Sequence, residues 1–184
     1  MTCDRDLFVP LSTARLALEP VREEHASAMQ DVLADASLYR YMLSEVPPNL
    51  TWLQARYRAL ASGWSPDGNE RWLNWIVLRN RAPVGYVQAT APTGGAFATM
   101  GWTIGTAAQG RGLGREAVQA VCGHLLDAGI AELRATIDAR NTRSISLAEC
   151  LGFRCVRTRL SDDVLDGAQW LDHDYVLRIA PSRG

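Results

Sequence analysis

The feature that most constrains this chain is a glycine-rich segment, residues 109–115, which reads QGRGLGR. It follows an apolar run at 100–104 that is typical of a strand, and it precedes an amphipathic run at 116–126 that is typical of a helix. Backbone N–H groups converge at such a junction, and the helix dipole adds partial positive charge. Because glycine lets a ligand approach the backbone closely, the segment predicts an anion site, such as one for a pyrophosphate.

Three phosphate-binding patterns compete for this segment. A P-loop would end in Gly-Lys-Ser or Gly-Lys-Thr, which is missing here. A dinucleotide fingerprint needs G-x-G-x-x-G, whereas the glycines at 110, 112 and 114 read G-x-G-x-G. The third pattern is Q/R-x-x-G-x-G/A, and Gln109, Gly112 and Gly114 occupy its fixed positions. By itself this match leaves open an ordinary glycine-rich turn before a helix.

Distant segments extend the match to nearly the whole chain. Residues 12–20 (STARLALEP), the N-x-x-S of 141–144 with Leu-Gly-Phe at 151–153, and residues 170–175 (WLDHDY) occur in a fixed order around the loop. In sequence and separation they resemble the ribosomal-protein (RimJ/RimL-like) branch of the GNAT superfamily of N-acetyltransferases. In that superfamily the Q/R-x-x-G-x-G/A segment is the coenzyme A pyrophosphate loop. The resemblance spans residues 12–179.

Length and composition fit one soluble domain, residues 1–184, with its core at about 12–179. A formal net charge of −1 gives no reason to expect nucleic acid or an anionic membrane as partner. No apolar run is long enough to span a bilayer, and the N-terminus lacks a signal-peptide core, so a cytoplasmic location is expected. The four cysteines fit no zinc spacing and are expected to be reduced, and no metal is expected.

Periodicity predicts the element order β-α-α-β-β-β-α-β-α-β-β, which is an α/β (α+β) chain with a mixed sheet. The resemblance implies the same topology. It implies a mostly antiparallel sheet of six to seven strands flanked by about four helices, with a V-shaped splay between the fourth and fifth strands. Those strands are predicted at 98–104 and 132–137, and Gly101 is expected to mark a bulge that splays them. The helices are predicted at 23–36, 51–61, 114–128 and 141–150.

The resemblance implies that an acetyl group passes from acetyl-CoA to a primary amine by direct attack in a ternary complex. Such a site must hold the pyrophosphate and must place a preorganised donor at the thioester oxygen. In the family that donor is a backbone N–H near the end of the strand before the loop, which indicates Trp102, Thr103 or Ile104. The pyrophosphate contacts are assigned to Gln109, Gly110, Arg111, Gly112, Leu113, Gly114 and Arg115.

Two residues of the N-x-x-S signature are candidates for contact with the coenzyme. Ser144 is the candidate general acid for the leaving thiolate, because the serine of this motif lies near the thioester sulfur in the family. Asn141 is expected to hydrogen-bond the coenzyme arm. The alternative for both is structural, with Asn141 as the cap of a short helix and Ser144 in its first turn.

The general base is the weakest point of the resemblance. Many relatives carry a glutamate on the strand before the loop, but residues 98–102 read ATMGW. Glu70, Asp138 and a water chain without any single base are the alternatives. Asp172 and His173 look like a catalytic pair, but a structural role in a strand is the expectation. His25 and His124 are also expected to be structural or solvated.

The acceptor is expected to be a protein or peptide N-terminus or a small-molecule amine, and the resemblance to this branch favours a ribosomal-protein or other protein amino group. Carboxylates at 23, 24, 31, 35 and 45 lie where the family usually builds its acceptor site, and the alternative is a solvated helix face. Most of the six tryptophans are expected in the core, with one or two lining a substrate cleft. A coenzyme-A-binding sensor without turnover, a transferase that uses another acyl-CoA such as succinyl-CoA, and a homodimer all remain open.

Overall fold

The computed structural model describes residues 7–42, 47–162 and 169–178. Within them, strands and helices follow the order predicted from the sequence. The strands are β1 (Leu11–Ser12), β2 (Ala17–Pro20), β3 (Glu70–Arg79), β4 (Ala82–Pro92), β5 (Phe97–Ile104), β6 (Glu132–Asp138), β7 (Arg154–Leu160) and β8 (Leu171–Arg178). The α-helices are α1 (Ala26–Val32), α2 (Leu50–Leu60), α3 (Leu113–Asp127) and α4 (Thr142–Cys150). None of the described helices is long and apolar enough to span a membrane.

The described strands form one sheet in the order β1-β2-β3-β4-β5-β6-β8-β7. All neighbouring pairs are antiparallel except β5 and β6, which run parallel. The mixed, mostly antiparallel sheet predicted from the sequence is confirmed. Its eight strands exceed the six to seven expected, because the two-residue β1 was too short to give a periodic signal.

The first helical segment differs most from its prediction at 23–36. A 3-10 turn at Glu23–His25 leads into α1, which ends at Val32. A second 3-10 turn, Ala36–Tyr39, then begins where the Asp35 side chain accepts a hydrogen bond from the Ser37 N–H at 2.8 Å. This cap is an alternative to continuing the α-helix, so the chain turns there.

The hairpin of β3 and β4 follows from its turn. Asn80 and Arg81 both have positive φ, 51° and 65°, which is the backbone pattern of a two-residue turn whose twist matches the flanking strands. The strands it joins are paired from Glu70↔Pro92 to Arg79↔Ala82, so they form the long central part of the sheet.

Helices cover both faces of the sheet, because side chains along each strand alternate between them. On one face α3 and α4 pack over a core that includes Leu73, Trp75, Val87 and Met100. On the other face α1 and α2 pack over a second core that includes Ile76. The neighbouring side chains on this second face leave the cavity described below.

The pairing of β5 with β6 is short. It comprises Phe97↔Glu132, Ala98↔Leu133 and Thr99↔Arg134, after which the two strands have no paired residues. The splay between the fourth and fifth predicted strands therefore lies between β5 and β6. The expected bulge at Gly101 is wrong, since β4 and β5 stay in register through Gln88↔Gly101. Gly101 instead makes room for a neighbour, because a Cβ there would lie 3.0 Å from the Gln88 amide nitrogen.

Glu45, one of the carboxylates expected near the acceptor site, falls outside the described residues. Of the cysteines, Cys122, Cys150 and Cys155 are described and free, and Cys3 lies outside the description.

Candidate active site

The glycine-rich segment forms the start of α3. Gly112 is the N-cap residue with φ 73°, a left-handed conformation that favours glycine, and no side chain caps the helix. The first intrahelical bond in this turn runs from the Glu116 N–H to the Gly112 carbonyl at 3.1 Å. The N–H groups of Leu113, Gly114 and Arg115 therefore have no intrahelical acceptor. They are available to an anion at the positive end of a 15-residue helix.

The Gln109 side chain holds the loop in place. Its Nε2 donates to the Ile104 carbonyl at 2.8 Å, and its Oε1 accepts from the Arg143 guanidinium of α4. Both the nitrogen and the oxygen of the Gln109 amide therefore have hydrogen-bond partners within the protein. The residue predicted to contact the pyrophosphate therefore ties the end of β5 to α4, and the loop runs between these fixed points.

A second support comes from Arg15, which the sequence analysis did not select. Its Nη1 donates to the Arg111 carbonyl at 3.1 Å, and its guanidinium forms an ion pair with Glu116 in the first turn of α3. Thr13 donates to the same carboxylate at 2.6 Å, and this hydrogen bond, ahead of the contacts with Arg15, lowers the pKa of Glu116. The sequence held one signal for this contact, since Arg15 lies inside the 12–20 segment that resembles the family.

Arg111 and Arg115 project from this loop. Both are exposed, and neither forms an ion pair with another described residue. Their charges are thus available to a bound anion, and the predicted contacts with a phosphate stay predictions. Gly114 also serves packing, because a Cβ there would lie 3.2 Å from side-chain atoms of both Ile104 and Leu147.

The splay exposes backbone N–H groups of β5. N–H and C=O groups alternate between the two edges of a strand, and the Gly105 N–H donates to the Val84 carbonyl beyond β4. The N–H group of Thr103, two residues earlier, therefore also points toward β4, where Thr103 pairs with Tyr86. The N–H groups of Trp102 and Ile104 point toward the opposite edge, in the part of β5 that is no longer paired with β6. Of the three predicted donors, the geometry favours Trp102 and Ile104.

Asn141 and Ser144 lie at the start of α4. The Asn141 side-chain oxygen accepts from the Ser144 N–H at 3.2 Å, so the capping alternative for Asn141 is present. The cap uses the amide oxygen and leaves the amide NH2 group. The Ser144 hydroxyl is half-buried and has no hydrogen-bond partner among the described residues. The roles of these two residues toward the coenzyme stay predictions.

A cavity of about 460 Å³ lies on the α1 and α2 face of the sheet. Its floor is built from strand residues whose side chains share this face, and its walls come from α2 and from the chain between α1 and α2. The described residues that line it are Val21, Leu33, Leu38, Tyr39, Met42, Pro47, Pro48, Asn49, Trp52, Leu53, Arg56, Tyr57, Leu60, Asn74, Ile76, Tyr86, Gln88 and Thr103. Thr103 belongs to β5, so the cavity reaches the strand that carries the exposed N–H groups.

Two hydroxyl groups in the cavity lining lack partners. Tyr57 and Thr103 are each only 6% exposed, and neither Tyr57 Oη nor Thr103 Oγ1 has a hydrogen-bond partner among the described residues. Burial raises the pKa of Tyr57 and raises that of Tyr39 to about 12, with a smaller contribution in both from nearby Tyr86. Both phenols are therefore neutral hydrogen-bonding groups at physiological pH.

The predicted bases do not meet in this cavity. Glu70 does not line the cavity, and its carboxylate accepts a hydrogen bond from the Trp72 indole at 3.0 Å. Along β3, Glu70 is four residues, or roughly 13 Å, from Asn74, which does line the cavity. Asp138 is buried at the end of β6 and paired with Arg140 at 2.6 Å. Burial would raise the pKa of Asp138, but the hydrogen bonds and charge of Arg140 outweigh it and the pKa is lowered. No carboxylate occurs among the described lining residues.

The other charged candidates have structural partners. Asp172 accepts from the Trp170 indole at 3.1 Å, and His173 bonds Thr158 across β7 and β8 at 2.8 Å. His124 contacts the Leu7 carbonyl at 3.0 Å. These contacts agree with the structural roles expected from the sequence.

The acidic residues near α1 also lie outside the cavity lining. Glu23 pairs with Arg58 at 2.6 Å and Glu24 with Arg22 at 2.6 Å. Asp35 caps the second 3-10 turn. Glu23 and Glu24 thus have arginine partners, and neither they nor Asp31 and Asp35 line this cavity, so a role for them at an acceptor site stays a prediction.

Comparisons with known proteins agree with this geometry. The sequence model of the Acetyltransferase (GNAT) domain matches residues 15–154. No curated protein sequence matches significantly. The fold is similar to that of the microcin self-immunity acetyltransferase MccE in complex with acetyl-CoA and AMP (15% identity, TM-score 0.82, 95% of this chain and 100% of that chain).

Two ribosomal-protein acetyltransferases have the same fold. One is RimL in complex with coenzyme A (16% identity, TM-score 0.81, 93% of this chain and 97% of that chain). The other is the Salmonella typhimurium enzyme that modifies the N-terminal serine of a ribosomal subunit protein (15% identity, TM-score 0.79, 91% and 97%). The family match covers most of the chain and includes the splayed strands and the loop at α3, so this protein belongs to the GNAT acetyltransferase family and is an acyltransferase.

Proposed function

We propose that this protein transfers an acetyl group from acetyl-CoA to a primary amine by direct attack in a ternary complex. The observation that carries the proposal is the position of β5. One edge of this strand presents the N–H groups of Trp102 and Ile104 at the splay, and one face places Thr103 in the cavity. A thioester at the splay and an amine in the cavity would therefore meet at a single strand.

The residues present fit a coenzyme A pyrophosphate. The N–H groups of Leu113, Gly114 and Arg115 and the charges of Arg111 and Arg115 would hold it, and acetyl-CoA supplies the activated acetyl group. The space that a side chain would fill at Gly112 is open, since the nearest atom to a Cβ there is Arg15 Nη2 at 3.5 Å. Glycine therefore leaves the backbone accessible to a ligand. Family members of the same fold have been solved with acetyl-CoA and with coenzyme A, which supports this assignment.

In the transfer step the amine nitrogen forms a bond to the thioester carbonyl carbon, and the carbon–sulfur bond then breaks. The N–H groups of Trp102 and Ile104 are assigned to stabilise the charge that develops on the carbonyl oxygen, which in enzymes contributes about 3 kcal/mol for one such donor. The Ser144 hydroxyl is assigned to give a proton to the leaving thiolate and to regain one from the water that accepts the proton of the amine. The Asn141 NH2 group is assigned to bind the coenzyme arm.

The amine must lose one proton in the reaction, and we assign that proton to water. No carboxylate occurs among the described residues of the cavity lining, Glu70 lies outside it, and Asp138 is held by Arg140. The polar side chains of Asn74 and Gln88 line the cavity and can hold water molecules there. These observations support the water chain among the three alternatives that the sequence left open.

A thiol-release assay with acetyl-CoA and a panel of primary amines tests the proposal. We expect amine-dependent release of free coenzyme A and a mass increase of one acetyl group on the amine. The competing function is a coenzyme-A-binding sensor. Tight acetyl-CoA binding without release across the panel would establish the sensor and overturn the transferase.

A further inference from the structure

The polar groups of the cavity indicate which amines it accepts. Tyr57 Oη and Thr103 Oγ1 are buried and unpartnered among the described residues. Leaving a buried hydroxyl unpaired costs free energy comparable to a lost hydrogen bond, so such groups in native proteins usually meet a ligand or water. Each hydroxyl oxygen can accept a hydrogen bond, and a primary amine offers donors.

The charge of the cavity lining disfavours acceptors that carry several positive charges. Arg56 is the charged residue among the described lining residues, and it forms no ion pair with a described residue. Its guanidinium lies 5.6 Å from the centre of the Trp72 ring, which helps to hold it beside the cavity. A polyamine or aminoglycoside carries several positive charges and would meet this cation with no carboxylate among the described lining residues to offset it.

The remaining surface is apolar and aromatic. The lining includes leucine, isoleucine, methionine and valine side chains together with Tyr39, Tyr57 and Tyr86. Trp52 on α2 also lines the cavity, with 56% of its surface exposed. Such walls favour a ligand with an aromatic or bulky apolar body. The volume of about 460 Å³ matches a small molecule and lies in the lower part of the usual range for such sites.

We propose that the acceptor is a free small-molecule primary amine on an aromatic or bulky apolar skeleton, without a second positive charge. Its nitrogen is bound by the hydroxyl groups of Tyr57 and Thr103, and Arg56 rejects polycations. The inference rests on the proposed acetyl transfer to an amine and specifies the substrate class of that site.

Steady-state kinetics of thiol release test the substrate class. The probes are 2-phenylethylamine, spermidine and a phenylalanine-initiated dipeptide amide. We expect kcat/KM for 2-phenylethylamine to exceed that for each of the others by about tenfold or more, which is the discrimination that one misplaced polar group or charge produces. A preference for spermidine overturns the charge argument, and a preference for the dipeptide overturns the small-molecule assignment.

Two variants test the binding hydroxyls. Tyr57→Phe and Thr103→Val remove one hydroxyl group each and keep most of the side-chain volume. Each should lower kcat/KM for 2-phenylethylamine about tenfold and leave acetyl-CoA affinity unchanged. Tyr175→Phe is the matched control, because its hydroxyl bonds Glu149 at 3.0 Å and does not line the cavity. Equal kcat/KM in wild type, Tyr57→Phe and Thr103→Val refutes the assignment.

Reversing the charge of Arg56 tests its role in substrate selection, because a purely structural role would not change the preference between spermidine and 2-phenylethylamine. Arg56→Glu should shift the ratio of kcat/KM for spermidine over 2-phenylethylamine upward by about tenfold. Arg58→Glu changes the same charge on the same helix outside the lining and should leave the ratio unchanged. An unchanged ratio in Arg56→Glu contradicts the role of Arg56.

Failure of the transfer reaction can be separated from failure of the substrate class. If no amine releases thiol, calorimetric binding of the same amines to the coenzyme-A-loaded protein decides. Tighter binding of 2-phenylethylamine than of spermidine and the dipeptide, weakened by Tyr57→Phe, supports the acceptor class even though the transferase proposal has failed. Any other order of affinity refutes the acceptor class as well.

Discussion

Gly112 is the residue at which the coenzyme assignment is most exposed to refutation. We expect Gly112→Gln to lose acetyl-CoA affinity while the protein stays folded. Glutamine adds bulk without charge at the residue that opens the helix N-terminus. It has space in the folded protein, because the nearest atom to a new Cβ is Arg15 Nη2 at 3.5 Å.

The expected stability cost comes from the backbone. Gly112 has φ 73°, and a residue with a side chain pays about 1 kcal/mol in that left-handed region. For a domain of this size, that shifts the thermal midpoint by roughly 3 °C. Gly68→Gln is a matched control: Gly68 has φ 70°, no atom lies within 4 Å of a Cβ there, and it lies in a distant turn.

The expected binding cost comes from lost approach to the N–H groups at the start of α3. If the side chain keeps the pyrophosphate from two of them, at about 1.5 kcal/mol each, the total is about 3 kcal/mol, or about 100-fold in Kd. Isothermal titration with acetyl-CoA measures this for wild type, Gly112→Gln and Gly68→Gln. A Gly112→Gln protein that binds within about twofold of the Gly68→Gln control would refute the loop as the coenzyme site.

Three further results are expected. Ser144→Ala should lower kcat by about tenfold or more with little change in acetyl-CoA affinity, and unchanged turnover would make Ser144 only a helix-start residue. The pH dependence of kcat/KM should follow the pKa of the acceptor amine across a series of amines, because no carboxylate is assigned as base; a profile independent of the amine would contradict the water chain. Asp138→Asn should lower the free energy of unfolding at pH 7 by about 1–2 kcal/mol, since it removes the charge that Arg140 pairs. The pKa of Asp138 is below its usual value of 3.8, so this contribution is present above that pH and is lost as pH falls below it. Urea unfolding at pH 7 and pH 3 checks it, and a difference between wild type and Asp138→Asn that is as large at pH 3 as at pH 7 would contradict the ion-pair origin.

Local signals in the sequence were sufficient for most elements. The helices predicted at 51–61, 114–128 and 141–150 and the strands predicted at 98–104 and 132–137 each depend on periodicity among neighbouring residues, and in the structure each begins and ends within one residue of those bounds. The first helix was predicted too long, because a capping hydrogen bond at Asp35 outweighed the apolar periodicity. The two-residue β1 lay below the length at which periodicity gives a signal.

Contacts between distant segments could not be predicted from such local signals. The role of Gln109 as a tie between β5 and α4, and the contact of Arg15 with the Arg111 carbonyl, join residues up to 96 positions apart. Nothing in either residue's immediate neighbours indicates the partner. The same holds for the cavity, whose polar groups Tyr57 and Thr103 come from a helix and a strand that only folding brings together.

The sequence by itself determined the family, the order of the elements and the position of the glycine-rich loop, because a glycine pattern next to a strand and a helix acts through neighbouring backbone. Only the tertiary structure decided which N–H groups of β5 face the splay, since that depends on the register with β4 and on where pairing with β6 stops. It also decided that tyrosines and Arg56 are among the described residues that line the cavity beside β5, while Glu23 and Glu24 pair with other arginines and Asp35 caps a turn. Charge in a binding site depends on which side chains fold inward, and that is a property of packing.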